Sequence, residues 1–291
     1  MKVETQNDTF FDLYFSNDAQ STILDRTVLR NMKTMGDKIM SSHVLSDRDL
    51  ERYHRQILIP DVGEEGQRRL ASATVGVLGQ GGLGSPCTLY LAAAGVGKLI
   101  LVDQKPPKFS NLNRQVLHGE REVAEGIPKA MSSESRVRAL NSDIEVEAHN
   151  IVIDSENIGT VFEGADLIVD CLDDFAPRYI LNDYCVKTGK PFIHCGIESF
   201  NGQITTIVPG ETPCLRCIFP NVPSSTEESP IIGSTAGVFG AMEAAEALKL
   251  ILGIGETLKS RLLFGDLKFQ TWDIIEVSRS ERCPVCRHLP L

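Results

Sequence analysis

Several groups of residues in this chain have the types and spacing to do chemistry. The first is Gly79-Gln80-Gly81-Gly82-Leu83-Gly84, which comes directly after the apolar run Thr74–Leu78 and fits the pattern G-x-G-x-x-G. Glycines at those positions let a backbone turn tightly and approach a phosphate, which then sits against a helix N-terminus. Asp103, 19 positions beyond Gly84 and at the end of the next apolar run, is placed to accept hydrogen bonds from ribose hydroxyls. Together these two features fit a dinucleotide such as NAD as well as they fit ATP.

The residues beyond Asp103 tip that balance. Ser110-Asn111-Leu112-Asn113-Arg114-Gln115 supplies amides and a guanidinium, and Lys129 opens a helix pattern after Pro128. A dinucleotide's pyrophosphate is already met by the glycine turn, whereas a triphosphate carries more charge and calls for Arg and Lys. Asp170-Cys171-Leu172-Asp173-Asp174 ends another apolar run with carboxylates, a seat for Mg²⁺ bridging phosphate oxygens. The alternative is that Arg114 and Lys129 are solvated surface charges and that the aspartates cap a helix starting at Phe175.

The cysteines divide into two classes. Cys214-x-x-Cys217 and Cys283-x-x-Cys286 are knuckle-like pairs, and four thiolates suit a closed, tetrahedral Zn²⁺ site that pins the C-terminal tail to the body. Cys87, Cys171, Cys185 and Cys195 lie in apolar contexts and read as buried small hydrophobes.

The elements that must position these groups alternate. Apolar runs at Thr74–Leu78, Leu99–Asp103, Ile144–His149, Leu167–Asp170 and Phe192–His194 predict strands. Helix patterns fall at Ser85–Ala94, Lys129–Leu140, Ser155–Phe162 and Arg178–Thr188. Such alternation predicts an α/β fold, a Rossmann-like and mostly parallel sheet with helices on both faces. Beyond Gly196 the pattern changes to antiparallel strands at Gln203–Val208, Leu262–Gly265 and Gln270–Val277, with a long helix at Ser234–Leu252. Residues 1–45 carry weak periodicity and read as a flexible or helical extension with no assigned function.

Composition narrows the partners. The 291 residues are 42% apolar and carry a net charge of −10, which argues against a nucleic-acid binder. The N-terminus MKVETQNDTF lacks the apolar core of a signal peptide, and no apolar run approaches the roughly 18 residues of a membrane span. Eight cysteines, four of them in CxxC spacing, fit the cytoplasm, where thiols stay reduced.

Taken in order, Arg52-Tyr53-His54-Arg55-Gln56, the glycine turn, Leu101–His118, the Ile-Pro-Lys-Ala around Lys129, Asp170–Phe175 and the CxxC pairs resemble the MoeB/ThiF/HesA adenylyltransferases, relatives of ubiquitin-activating enzymes. The resemblance runs from about Ser46 to the C-terminus and implies one adenylation domain over residues 46–291. It implies ATP-dependent adenylylation of a carboxylate, usually the C-terminal glycine of a ubiquitin-like sulfur carrier of the MoaD/ThiS type, by a homodimer. Carried over to this chain, Asp103 binds the ribose, Asn111, Arg114 and Lys129 the phosphates, and Asp173 the Mg²⁺. Arg55 is the arginine that reaches across the dimer interface to a neighbouring nucleotide. The chemistry needs positioning and charge neutralisation more than a nucleophile of the enzyme's own.

One departure from the family has a chemical consequence. Many relatives carry a reactive cysteine in the loop before the long helix, but Asn221–Ser234 contains none, and Thr226 takes its place. A hydroxyl does not replace a thiolate in that exchange, so the reaction is expected to stop at the acyl-adenylate. Lys105 and Asp174 are smaller departures, standing where an acidic residue and an asparagine are common. Two other readings stand beside the first: adenylylation of a small-molecule or peptide carboxylate, and an NAD-dependent oxidoreductase. The latter leaves Arg114, Lys129 and Asp173 without a role.

Overall fold

The computed structural model describes residues 43–223 and 229–289. The extension over residues 1–42 and the position of Thr226 therefore lie outside the described residues. Eight strands form one sheet: β1 (Thr74–Leu78), β2 (Lys98–Val102), β3 (Glu145–His149), β4 (Leu167–Asp170), β5 (Phe192–Glu198), β6 (Asn201–Ile207), β7 (Arg261–Asp266) and β8 (Thr271–Glu276). Their order is β3-β2-β1-β4-β5-β6-β7-β8. β1 to β5 pair in parallel, and β5 to β8 pair antiparallel, as the change of pattern after Gly196 predicts.

Among the described residues three helices precede β1: α1 (Asp47–Arg52), α2 (His54–Ile57) and α3 (Gly63–Ser72). The remaining helices are α4 (Gly84–Ala94), α5 (Glu120–Glu125), α6 (Lys129–Leu140), α7 (Ile158–Val161), α8 (Phe175–Thr188), α9 (Leu215–Ile218) and α10 (Gly233–Leu252). No helix among the described residues is long and apolar enough to cross a membrane.

The central parallel strands β1, β2 and β4 are apolar almost throughout because both faces are covered, whereas the edge strand β3 (Glu145-Val146-Glu147-Ala148-His149) buries only Val146. Val75, Val77, Leu99, Leu101, Leu167 and Val169 point to one core with Leu70, Leu91 and Ile251. The alternate residues Ile100, Val102 and Ile168 point to a second core with Phe162, Leu181 and Cys185. A period of two thus serves two cores at once.

The chain runs outward from β1 through β2 to β3, then returns to place β4 on the other side of β1. This reversal opens a crevice at the C-terminal ends of β1 and β4, where open α/β sheets bind ligands. The glycine turn leaves β1 there, Asp103 lies just past β2, and Asp173 just past β4.

Candidate active site

The glycine turn is tight because its neighbours leave no alternative. Gly79 has φ +100°, and a Cβ there would run into the Cys171 carbonyl; a Cβ on Gly84 would run into the Gly79 carbonyl. Gly79 N–H donates to Val102 O at 2.8 Å, so the turn is fastened to the end of β2. Gln80 is fully buried: its amide nitrogen donates to Val77 O at 3.2 Å, and its amide oxygen accepts from Thr88 Oγ1 at 3.0 Å.

Asp103 is bound to the same turn. Its Oδ2 accepts from Gln80 N–H at 3.0 Å and its Oδ1 from Lys105 N–H at 2.9 Å. Each oxygen keeps a second acceptor site for a hydroxyl. Lys129 Nζ lies 3.8 Å from Asp103 Oδ2, and both side chains are only about a tenth exposed (11% and 12%). The solvated-surface alternative for Lys129 is therefore wrong: this ammonium is aimed into the crevice.

Arg114 also belongs to the crevice. Its side chain lies 3.6 Å from where a Gly82 Cβ would sit, and its Nη1 donates to Ser110 O at 3.1 Å and Asn113 Oδ1 at 3.0 Å. Its remaining N–H groups have no acceptor among the described residues, which leaves a fork free for an anion. Asn111 Oδ1 accepts from Lys108 N–H at 2.9 Å and holds the short turn Phe109–Asn111, which ends just before Arg114.

The acidic run after β4 does not act as one cluster. Asp170 is fully buried; it accepts from His194 Nδ1–H at 2.7 Å and pairs with Arg178 Nε at 3.5 Å. Asp174 caps α8, accepting from Ala176 N–H at 3.4 Å, as the capping alternative predicts. Only Asp173 is exposed, with no hydrogen bond or ion pair among the described residues. Arg178, to which no spacing assigns a role, donates through Nη2 to Leu172 O and, at 2.8 Å, to Cys195 O, and so shapes the loop that presents Asp173. Gln115, also without an assigned role, is buried over Gly81 with its Oε1 unpartnered among the described residues.

Arg55 is not brought together with these groups within the chain. It is exposed on α2, whose Gln56 donates to Ala94 O at 3.1 Å, at the far end of α4 from the glycine turn. An 11-residue helix spans about 16 Å.

Beneath the turn lies a cluster of Cys87, Cys171 and Glu243, all buried, with Cys171 Sγ donating to Glu243 Oε2 at 3.4 Å. Burial, with Cys87 and Asp170 nearby, pushes the Glu243 carboxyl well above its ordinary 4.5. Burial likewise raises the thiols of Cys171, Cys185 and Cys195, so these are inert packing residues. The folded chain keeps the Glu243 proton that the unfolded chain loses above 4.5, so stability falls as pH rises from there, by about 1.4 kcal/mol per pH unit until the folded-state value is passed. Glu243→Gln is expected to remove this slope. Urea unfolding at pH 5, 6.5 and 8 should show the variant gaining on the native chain as pH rises, and parallel curves would count against a protonated Glu243.

The four knuckle cysteines converge. Cys214 lies at the start of α9, and Sγ···Sγ separations are 3.9 Å (Cys214 to Cys217), 3.5 Å (Cys214 to Cys283) and 3.4 Å (Cys217 to Cys286). A tetrahedron with Zn–S bonds of about 2.3 Å has edges of about 3.8 Å, so the cage is compatible with zinc. Burial raises the Cys283 thiol, but amides of Cys286 and Val285 and the thiols of Cys214 and Cys217 outweigh it and bring it down to about 7. Cys286 is pushed up to about 11, chiefly by burial.

A model of the ThiF family matches residues 53–285. The chain belongs to the ThiF family. It is similar to the SAMP-activating enzyme E1 of Haloferax volcanii, 43% identical over 83% of this chain and 90% of the relative. It is also similar to the sulfur carrier protein adenylyltransferase of Thermus thermophilus, 42% identical over 83% of this chain and 92% of the relative. Among solved structures, MccB of E. coli with MccA-N7isoASN superimposes with a TM-score of 0.74, at 27% identity, over 83% of this chain and 75% of that one. This ThiF-family chain is an adenylyltransferase, and the crevice at the β1–β4 reversal is its candidate active site.

Proposed function

We propose that this enzyme activates the C-terminal carboxylate of a ubiquitin-like sulfur-carrier protein as an acyl-adenylate. The observation that carries the reading is the convergence of the glycine turn, Asp103, Arg114 and Lys129 on one crevice, in a chain 42% identical to a sulfur carrier protein adenylyltransferase. A carboxylate oxygen of the carrier attacks the α-phosphorus of ATP, the bond from that phosphorus to the bridging oxygen breaks, and pyrophosphate leaves. Asp103 holds the ribose; Gly79, Gly81, Gly82 and Gly84 form the turn against the phosphates. Lys129, Arg114 and Asn111 neutralise and orient the departing pyrophosphate.

Asp173 fits Mg²⁺, since an exposed carboxylate with no other partner among the described residues, set beside phosphates, is the kind of ligand this ion uses. Such an ion would neutralise charge on the phosphate oxygens. The Cys214–Cys217–Cys283–Cys286 cage holds Zn²⁺ in a structural role. The functional unit is a homodimer over the adenylation domain, residues 46–291, in which Arg55 serves the neighbour's site. Support comes from an exposed apolar surface: Leu58 and Ile59 beside Arg55 are 60% and 49% exposed, and Pro86, Leu89, Tyr90, Val116 and Val238 line an open groove of ≈ 470 Å³. We place the reaction in the cytoplasm, which keeps cysteines reduced; none of the eight forms a disulfide.

The product is a free acyl-adenylate. Asn221–Ser234 has no cysteine, and the four cysteines outside the cage are buried. Pyrophosphate release from ATP–Mg²⁺ is expected to depend on a carrier ending in glycine, with no covalent adduct on the enzyme by intact-mass spectrometry. Release with a peptide carboxylate and not with any carrier would replace this substrate; a thioester on the enzyme would overturn the missing-cysteine argument.

A further inference from the structure

His118 is buried between two phosphate-binding elements. Its Nε2 lies 2.8 Å from Gln80 O in the glycine turn, and its Nδ1 lies 2.9 Å from Ser132 Oγ on α6. A carbonyl only accepts, so Nε2 carries the proton, and in the neutral ring Nδ1 accepts from the Ser132 hydroxyl. Ser132 stands three residues after Lys129, which puts both on one face of α6. Lys129 reaches Asp103 Oδ2, and the same oxygen accepts from Gln80 N–H. The contacts close a ring: Gln80, His118, Ser132, α6, Lys129, Asp103 and back to Gln80.

The ring has a consequence for the turn itself. The Gln80–Gly81 peptide is planar, with its C=O and N–H pointing in opposite directions. By holding the Gln80 carbonyl, His118 fixes the Gly81 N–H to point away from itself. That N–H has no acceptor among the described residues, so it is a donor set in direction and free for an anion.

We propose that His118 is a positioning residue for the nucleotide phosphates, setting the Gly81 N–H through the Gln80 carbonyl and Lys129 through Ser132. The inference rests on the reading of this crevice as the ATP site. It concerns phosphate affinity rather than ribose affinity, because Asp103 keeps its hydrogen bonds from Gln80 and Lys105 without the imidazole.

Dissociation constants for ATP and for adenosine, measured by equilibrium dialysis on the full chain, separate the possibilities. His118→Ala is expected to weaken ATP about tenfold or more while adenosine stays within about twofold. His118→Gln, which keeps one donor and one acceptor, should return ATP affinity to within about threefold of the native chain, and Ser132→Ala should fall between the two. Unchanged ATP affinity in His118→Ala, or equal weakening of ATP and adenosine, overturns the proposal. If His118→Ala does not fold, Ser132→Ala and His118→Gln decide on the same two constants: ATP weakened by Ser132→Ala with adenosine spared sustains the proposal, and no selective effect in Ser132→Ala overturns it. A native chain that binds no ATP would instead sink the reading of the crevice.

Discussion

Arg114→Ala is expected to lower the rate of carrier-dependent pyrophosphate release by about 100- to 1000-fold, the range seen when one preorganised donor to developing charge is removed. The side chain lies over Gly82, holds only Ser110 O and Asn113 Oδ1, and keeps the rest of its guanidinium unpartnered among the described residues. Because those two contacts are exposed, stability should change by less than about 0.5 kcal/mol, and the thermal midpoint separates lost chemistry from lost fold. Arg114→Lys should recover part of the rate, since an ammonium supplies charge but no bidentate fork. The same variant tests the dimer. A chain with Arg55→Ala and a chain with Arg114→Ala are each expected to be inactive, yet one mixed dimer contains one site with an intact Arg114 and the neighbour's intact Arg55. Random exchange makes half of the dimers mixed, so activity should return to about a quarter of the native level. No recovery after exchange shown by mass would mean that Arg55 does not act across an interface. Native-like turnover in Arg114→Ala would remove this arginine from the reaction.

The sequence was legible where local chemistry and tertiary structure agree. The central strands β1, β2 and β4 are read from apolar runs because both faces of each are buried, and the glycine turn from spacing, because Gly79 and Gly84 have no room for a Cβ. The helix expected over Ser155–Phe162 shrinks to Ile158–Val161 for a local reason. Asp154 Oδ1 accepts from Glu156 and Asn157 N–H at 2.8 and 2.9 Å, and Asn157 Oδ1 accepts from Asp154 N–H at 3.0 Å, so this pair holds the backbone in a turn instead of a helix. Strand β5 runs on to Glu198 because its pairing with β6 extends to Glu198 and Asn201.

Other features depend on groups far apart in the chain. Nothing adjacent to Asp170 shows that His194, 24 residues on, will bury it, so consecutive carboxylates read as a cluster when one is structural, one a cap and one exposed. His118 lies within the stretch that carries the family resemblance, yet its partners Gln80 and Ser132 stand 38 and 14 residues away. Lys129 was legible as a cation but not as a buried one; its burial comes from the fold of Asp103 and the turn around it.

Removing the zinc proposed for the cysteine cage is expected to have the largest effect on stability. The two CxxC pairs are separated by α10, β7 and β8, so the cage ties the segment after β8 to the start of α9. Among the described residues the buried apolar partners around the thiols are few, Val186 with the half-buried Val285 and Leu289. A structural ion present at 1,000 times its Kd adds about 4 kcal/mol to the folded state. Cys283→Ser should therefore drop bound zinc from one ion per chain to none and lower the free energy of unfolding by about that amount, and a chelator should do the same to the native chain. The loss should begin locally. Amides of residues 277–289 should exchange fast, while those of α8 stay protected, because α9 keeps its separate anchors there: Asn182 Oδ1 accepting from Leu215 N–H at 2.8 Å, and the Asp183 pair with Arg216 at 2.9 and 3.0 Å. Asp173 sits at the opposite end of α8, so ATP affinity should change far less than stability does. Full zinc content and unaltered unfolding in Cys283→Ser would show that four converging thiols are packed here without an ion, and that the tail is held by contacts of its own.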